Sequence, residues 1–125
     1  MLAAMETTAL LSLATRWLDA FNAKELPALL DLYEDDAVHL SPKLRDQRPE
    51  TRGEIRGKDA LRAWWSDAMA RLPGLRYEPE QLTAMGERVF MEYVRKNPGD
   101  ADLRVAEVLI VSERGKIRAS RVYHG

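Results

Sequence analysis

Residues 17–42, WLDAFNAKELPALLDLYEDDAVHLSP, combine two helical patterns and one strand pattern with almost no linker between them. Apolar residues recur at helical spacing on both sides of a turn at residues 22–24. They are Leu10, Ala14, Trp17, Leu18 and Phe21 before the turn, and Leu26, Leu29, Leu30 and Tyr33 after it. The acidic run at residues 34–36 predicts the end of the second helix. Residues 37–40 predict a short strand, because Ser41 precedes Pro42 and a residue before proline is pushed out of helical geometry.

The rest of the chain predicts one more helix and a series of strands. Residues 41–57 show no clear periodicity and predict a long loop. Apolar residues at helical spacing predict a third helix over residues 58–72, which ends at Pro73-Gly74. Turn residues at 97–100 and 113–115 join the last three of the strand candidates that follow, so we expect these three to form a meander, and we expect a single domain over residues 1–125. The strand candidates are Leu75 to Met85, Arg88 to Lys96, Leu103 to Ser112 and Lys116 to His124.

Composition excludes several classes of function. The 19 basic and 20 acidic residues are interspersed and give a formal net charge of −1, which argues against a nucleic-acid partner. The chain has no cysteine, so it carries neither disulfides nor thiolate metal sites, and a cytoplasmic location is expected. The N-terminal segment lacks a basic region and a sustained apolar run, so no signal peptide or membrane partner is expected. Two distant histidines and dispersed glycines predict no metal site and no cofactor.

The strand at residues 105–111, VAEVLIV, is apolar on both of its alternating faces. Both faces are therefore expected to be covered, one by helices and a pocket and the other by a second copy of the chain in a homodimer. Glu107 is the only charged residue of this run, and a buried carboxylate takes a proton or finds a hydrogen-bond donor. Glu107 is the first catalytic candidate. The alternative is that Glu107 points into the dimer face and pairs with an arginine, for which the candidates are Arg104, Arg118 and Arg121.

Three motifs in a fixed order resemble the nuclear transport factor 2-like superfamily, in particular its SnoaL-like and ketosteroid-isomerase-like branches. They are Leu32 to Pro42 (LY-x-DDA-V-x-x-x-P), Gly57 to Leu61 and Gly115 to Ile117. The resemblance covers nearly the whole chain. It implies an α+β fold in which three N-terminal helices wrap a cone-shaped, curved, mostly antiparallel sheet, as in cystatin-like proteins. The open end of the cone usually holds a pocket, and the fold serves both enzymes and inert modules.

The resemblance also assigns positions within that pocket. Glu107 falls where ketosteroid isomerases place a protonated aspartic acid that donates a hydrogen bond to the developing oxyanion. Ser41 stands where those enzymes have an aspartate as general base, and serine cannot take that role unaided. Trp17 stands at the position of a tyrosine oxyanion donor, and Trp65 at that of a supporting tyrosine. Steroid isomerisation by the known arrangement is therefore not expected.

Other polar residues are candidates to complete the site. His39 lies two residues before Ser41 and so on the same strand face, while Ser120 and His124 share a face that the resemblance turns toward the pocket. Either histidine is a candidate base. The alternatives are a hydrogen-bonded structural histidine at His39 and a frayed or interface residue at His124.

Tyr93 and Arg95 alternate on one strand face and are candidates to orient a substrate, Arg95 by holding its carboxylate. The alternative for Arg95 is an ion pair with Asp100 or Asp102. Together these residues predict a pocket for a small, largely apolar organic molecule. Two hypotheses remain open for its use: a cofactor-free isomerase or cyclase that moves a proton next to a carbonyl, and a module that binds without catalysis or serves only as a structural dimer.

Overall fold

The computed structural model describes residues 6–124 and forms four α-helices, a short 3₁₀ turn and six strands. The elements have these bounds: α1 Thr7–Asn22, α2 Leu26–Asp31, β1 Tyr33–Leu40, α3 Pro42–Gln47, the 3₁₀ turn Pro49–Thr51, β2 Glu54–Arg56, α4 Lys58–Arg71, β3 Arg76–Met85, β4 Arg88–Lys96, β5 Leu103–Val111 and β6 Ile117–His124.

The six strands form one sheet in the order β2-β1-β6-β5-β4-β3. Strands β3 to β6 form an antiparallel meander, and β2 pairs with β1 in antiparallel fashion. The exception is the parallel pair β1 and β6, which sets His39 opposite Ser120. On the meander, Glu107 lies opposite both Met91 and Val122. These two registers place the candidate residues of β1, β4, β5 and β6 on one continuous surface.

The helices cover one face of this sheet. Helix α1 packs mainly on β3, and α4 contacts both α2 and β1. A stacked row of aromatic rings joins α1 to the sheet. The ring centroid of Phe21 lies 5.4 Å from that of Trp17 and 4.1 Å from that of Tyr77. The Tyr77 centroid lies 4.3 Å from that of Tyr93. Such rings bury large apolar areas and prefer offset stacking, so the row ties α1 to β3 and β4.

The predicted α+β fold with a mostly antiparallel sheet is confirmed, and the four strands of the meander lie within a few residues of their predicted bounds. The prediction that residues 34–36 lie before the first strand was wrong. Strand β1 already begins at Tyr33 and includes this acidic run. Asp35 and Asp36 are exposed and the register shifts between Tyr33 and Val38, so the carboxylates stay in water while the strand bends around them.

The prediction of a structureless loop over residues 41–57 was also wrong. Helix α3, the 3₁₀ turn and β2 occupy this segment. Ser41 and Pro42 end the strand as expected, but they also start a helix. The Ser41 hydroxyl accepts a hydrogen bond of 3.2 Å from the backbone N–H of Lys43, and proline is favoured in the first helical turn. The predicted three helices are therefore present together with a fourth, short one.

The opposite face of the sheet carries a small apolar cluster of Val108, Ile110 and Ala119 on β5 and β6. Phe90 pairs with Val108 across β4 and β5 and is 37% exposed. This outer face is where the sequence predicts the homodimer contact, which stays a prediction. Among the helices described over residues 6–124, none is long and apolar enough to cross a membrane.

Candidate functional site

A narrow cavity of about 70 Å³ lies between the helix-covered face of the sheet and helices α1, α3 and α4. Six aromatic residues contribute to its walls: Trp17, Phe21, Trp64, Trp65, Tyr77 and Tyr93. A water molecule needs roughly 10–15 Å³ of such volume, so the space suits a few waters or the body of a small organic molecule. All three tryptophans of the chain line this cavity.

Glu107 lines the cavity from β5 and is only 2% exposed. The Tyr93 hydroxyl donates a hydrogen bond of 2.8 Å to Oε1 of Glu107. Oε2 is buried and has no hydrogen-bond partner among residues 6–124. Burial raises the pKa of Glu107 to about 8, although the hydrogen bond from Tyr93 acts in the opposite direction. The carboxyl group is therefore mostly protonated at neutral pH.

The alternative of an ion pair between Glu107 and an outer-face arginine does not occur in the structure. Arg118 instead pairs with Glu87 at 2.9 Å. Glu107 points to the helix-covered side because the strand alternates, and Val105 and Glu107 share the cavity face while Val108 and Ile110 form the outer cluster.

His39 lines the cavity from β1 and is 3% exposed. Its Nδ1 lies 2.6 Å from Oγ of Ser120, which accepts a hydrogen bond of 3.0 Å from the Tyr33 hydroxyl. The Tyr33 oxygen in turn accepts a hydrogen bond of 3.0 Å from Nε1 of Trp17. Burial lowers the pKa of His39 to about 4, so the ring is neutral at pH 7.

This network changes the place of two residues predicted to bind substrate directly. The indole N–H of Trp17 is already used by Tyr33, so Trp17 offers the cavity its ring face and not its donor. Ser120 has no exposed surface, and its hydroxyl contacts Tyr33 and His39. Tyr33 itself was assigned only to the apolar pattern of a helix. Its polar role depends on the pairing of β1 with β6, which no local pattern predicts.

Ser41 and Trp65 both line the cavity at the predicted positions. Ser41 is 7% exposed, and its hydroxyl caps α3 by accepting from the Lys43 N–H. The ring of Trp65 lies 5.3 Å from that of His39 and 5.2 Å from that of Tyr33, in tilted orientations. Trp65 thus packs against the polar network and does not belong to it.

The mouth of the cavity is cationic. Lys43, Arg71 and Arg95 line it and carry the positive charge, and His124 lies beside them. Burial lowers the pKa of His124, and the charges of Lys43 and Arg95 lower it further, while Asp46 opposes them. Arg95 lies 3.9 Å from Asp100, so the alternative ion pair and the cavity position occur together.

The structure therefore brings Glu107, Tyr93, His39, His124 and Arg95 to one cavity. The protonated carboxyl group of Glu107 is a hydrogen-bond donor, and its free oxygen faces a region with no protein partner among residues 6–124. A neutral histidine has one donor and one acceptor nitrogen, and its tautomer decides which nitrogen faces the cavity as a donor or as an acceptor. Within the same described range, no three of the metal-ligating side chains His, Asp and Glu lie close enough together to hold an ion.

Known structures share this architecture. A SnoaL-like protein from Burkholderia thailandensis is 23% identical, with 97% of this chain and 98% of that chain covered and a TM-score of 0.85. A candidate ketosteroid isomerase from Kribbella flavida is 18% identical over 95% and 79% of the two chains, with a TM-score of 0.77. A candidate polyketide cyclase from Sinorhizobium meliloti is 17% identical over 95% and 100%, with a TM-score of 0.76. At these identities the likeness shows the fold alone.

A comparison with curated proteins found no match. The sequence profile of the SnoaL-like domain matches residues 14–120, from the middle of α1 to Ser120 on β6. This range is most of the chain and includes all of β1 to β5. The chain therefore belongs to the SnoaL-like domain family.

Proposed function

We propose that the cavity binds a small, largely apolar organic molecule with a carbonyl oxygen, and that the protein moves a proton next to that carbonyl without a cofactor. One observation carries the proposal. Oε2 of Glu107 is a buried polar atom that has no partner among residues 6–124, although it lies at an aromatic cavity. Buried polar atoms are nearly always hydrogen-bonded, so an orphan of this kind indicates a missing ligand group.

The chemistry follows from the state of Glu107. A protonated carboxyl group donates a hydrogen bond to a carbonyl oxygen and stabilises the negative charge that forms there as a neighbouring carbon loses its proton. Tyr93 holds the other carboxyl oxygen in place. The base is one of the two histidines at the cavity, His39 or His124, both of which are neutral at pH 7 since their pKa values are lowered. Arg95 at the mouth is suited to an anionic end of the molecule.

The similar structures fit this reading at the level of reaction type. Two of them carry the names of a candidate ketosteroid isomerase and a candidate polyketide cyclase. Loss of a proton next to a carbonyl gives an enolate, which a hydrogen-bond donor such as protonated Glu107 stabilises. The serine at position 41, where steroid isomerases have an aspartate, distinguishes this chain from their arrangement. The substrate class proposed here is smaller than a steroid because the cavity is small. The cavity of about 70 Å³ agrees with that size.

Deuterium exchange into simple enolisable ketones tests the proposal. Cyclohexanone and acetophenone are incubated in D₂O with the wild type, with Glu107→Gln and with the matched control Glu92→Gln, whose carboxyl group lies exposed on β4. Wild-type protein and the control should accelerate exchange at the carbon next to the carbonyl. The amide of Glu107→Gln still donates a hydrogen bond but is far less acidic than a carboxyl group, so it should lower that rate, by less than the roughly 100-fold that complete loss of an oxyanion donor costs.

Binding without exchange would favour the second candidate function, a module that holds a metabolite but does not convert it. One observation favours this candidate: the Ser41 hydroxyl is occupied in capping α3, so the position of the family's base holds no free proton acceptor. The three tryptophans that line the cavity report binding through their fluorescence. Unchanged fluorescence together with no exchange would contradict both functions.

The proposal includes a homodimer that buries the outer face of the sheet. The apolar cluster of Val108, Ile110 and Ala119 and the partly exposed ring of Phe90 support it. The cavity lies on the other side of the sheet, so two sites would remain open in the dimer.

A further inference from the structure

Four buried side chains connect helix α1 with the cavity wall: Trp17, Tyr33, Ser120 and His39. Trp17, Tyr33 and Ser120 are at most 1% exposed, so the hydrogen bonds between them are shielded from bulk water. The proposed function leaves the base open between His39 and His124. The direction of the hydrogen bonds between these four side chains decides whether His39 is available as the base.

The order begins at Trp17, because an indole N–H donates and cannot accept. Its bond of 3.0 Å makes the Tyr33 oxygen an acceptor. The proton of the Tyr33 hydroxyl then goes to Oγ of Ser120, at 3.0 Å. With its oxygen occupied in this way, Ser120 directs its own proton to Nδ1 of His39, at 2.6 Å. Three protons thus make three hydrogen bonds in one direction.

The reverse order fails this count. If Nδ1 of His39 carried the proton and donated it to Ser120, the Ser120 proton would need another acceptor. That acceptor is either absent among residues 6–124 or is the Tyr33 oxygen, in which case the Tyr33 proton is left over. Each reversed arrangement leaves one buried hydroxyl proton without a partner, which proteins avoid.

We propose that Trp17, Tyr33 and Ser120 hold His39 as the Nε2–H tautomer, so that His39 offers the cavity a hydrogen-bond donor and does not act as the base. Nδ1 is occupied by Ser120, and Nε2 is the ring nitrogen available to the cavity that His39 lines. Tyr33 and Ser120 are positioning residues in this arrangement. Trp65 packs against the His39 ring at 5.3 Å and restricts its rotation.

The inference narrows the ligand class. Together with the protonated Glu107, a neutral His39 donor makes a cavity that favours uncharged oxygen acceptors such as ketone or ester carbonyls. This step uses the cavity of the proposed function but needs no turnover. If a proton is abstracted at this site, the base is His124 at the mouth, which is the only other histidine in the chain.

Imidazole nitrogen NMR tests the tautomer directly. The full chain is prepared with ¹⁵N-labelled histidine and without a polyhistidine tag. The variant His124→Gln then leaves His39 as the only labelled ring. At pH 7 the expected spectrum has a protonated, pyrrole-type Nε2 and an unprotonated Nδ1 that is shifted by the hydrogen bond it accepts. A protonated Nδ1 in this spectrum would overturn the proposal without any further variant.

Two substitutions test the positioning role. Ser120→Ala removes the donor to Nδ1, whose signal should move toward that of a free unprotonated nitrogen. Tyr33→Phe leaves Nδ1 of His39 as the partner of the Ser120 hydroxyl, so Ser120 should still donate to Nδ1 and the Nε2–H tautomer should persist. The Trp17 indole signal should move as it loses its acceptor. The control Tyr123→Phe removes an exposed hydroxyl of β6 and should change none of these signals. A protonated Nδ1 in Tyr33→Phe, or an unmoved Trp17 indole signal, would contradict the proposed order of hydrogen bonds.

The donor role is tested with acetophenone, which has a carbonyl acceptor, and toluene, which has the ring alone. Acetophenone should move the Nε2–H proton signal downfield, and toluene should not. An unmoved signal while tryptophan fluorescence reports binding would overturn the donor role. If neither probe binds, the proposed ligand site fails for this class of molecule, whereas the tautomer result stands or falls by the spectra of the free protein.

Discussion

The hydroxyl group of Tyr93 donates a hydrogen bond of 2.8 Å to Oε1 of Glu107, so one carboxyl oxygen is held by the protein while the other, Oε2, is buried without a partner among residues 6–124. This asymmetry separates the two oxygens by role. Oε1 fixes the orientation of the group, and Oε2 is left for a ligand.

Replacing Tyr93 with Phe should raise the pKa of Glu107 further above 8. The hydrogen bond from Tyr93 stabilises the charged form, and burial alone would then act. The free energy of unfolding should fall by about 1–3 kcal/mol, because Oε1 would lose its partner in the protein interior. Titration of the ¹³C-labelled carboxyl carbon of Glu107 measures the first effect and urea unfolding the second. An unchanged titration midpoint would contradict the role assigned to Tyr93.

The stability of Glu107→Gln should depend on pH differently from that of the wild type. The pKa of Glu107 in the folded protein, about 8, lies above the ordinary value of 4.5 for a glutamate, so the folded state holds the proton more tightly. The contribution of Glu107 to the free energy of unfolding is fully present below pH 4.5. It is lost as pH rises toward 8, by about 1.4 kcal/mol per pH unit in that window. Glu107→Gln lacks this loss. Urea unfolding of both proteins from pH 4.5 to 9 should show the variant gaining on the wild type up to about pH 8, with a constant difference above that. Parallel curves would show that Glu107 is ionised in the folded state.

His39 should produce the opposite slope. Burial lowers its pKa from 6.5 to about 4, so the unfolded chain binds the proton more tightly. Its contribution is present above pH 6.5 and is lost as pH falls toward 4. As pH falls from 6.5 to 4.5 in the wild type, the stability lost through His39 and the stability gained through Glu107 nearly cancel. The Glu107→Gln background should therefore reveal a stability that rises with pH up to 6.5, and adding His39→Asn should flatten it. A slope that survives His39→Asn would assign the effect to another group.

Ser41 should act mainly through helix α3. Ser41→Ala removes the acceptor for the Lys43 N–H and should lower the free energy of unfolding by about 1 kcal/mol. Ser41→Thr keeps a hydroxyl group and should recover most of that loss. Helix α3 also places Lys43 and Gln47 at the cavity mouth, so ligand affinity should follow stability in the two variants. Full affinity in Ser41→Ala would separate the mouth from the helix cap.

Phe90→Glu should dissociate the proposed homodimer. The ring lies next to Val108 on the outer face, and a carboxylate there would be buried against apolar surface in a dimer. Analytical ultracentrifugation should find a dimer for the wild type and a monomer for the variant. Ala28→Glu adds the same charge on the exposed side of α2 and should leave the dimer intact. A wild type that sediments as a monomer at every concentration would contradict the dimer.

Much of the fold could be predicted from the sequence because its signals are local. The helices show spacings of three and four residues, and the meander shows turn residues between apolar runs. The alternation of β5 places Glu107 on the cavity face, and that of β4 does the same for Tyr93 and Arg95. Helix α3 was not predicted, because Ser41-Pro42 is consistent both with the end of a strand and with the start of a helix. Only the hydrogen bond from the Lys43 N–H to the Ser41 hydroxyl shows that both occur.

The hydrogen-bonded network of Trp17, Tyr33, Ser120 and His39 could not be predicted for a different reason. Tyr33 and Ser120 are 87 residues apart, and His39 and Ser120 are 81 residues apart. Their contact depends on the parallel pairing of β1 with β6, and the spacing of apolar residues within a strand says nothing about which distant strand lies beside it. Tyr33 also sits at the end of a helical pattern, so its ring was assigned to packing and its hydroxyl was overlooked.

The parallel pair of β1 and β6 also has a consequence for the order of folding. Contacts between distant parts of a chain form slowly, because the intervening loop must close before the contact brings any stabilisation. Strand β6 is the last of the six in sequence. It supplies Ser120 to the hydrogen-bonded network, and Val122 and His124 to the cavity wall. A folding intermediate with its helices and the β3-β4 hairpin in place would still lack this wall. The cavity wall is complete only when β6 has paired with β1, so we expect ligand affinity to depend on this long-range pairing.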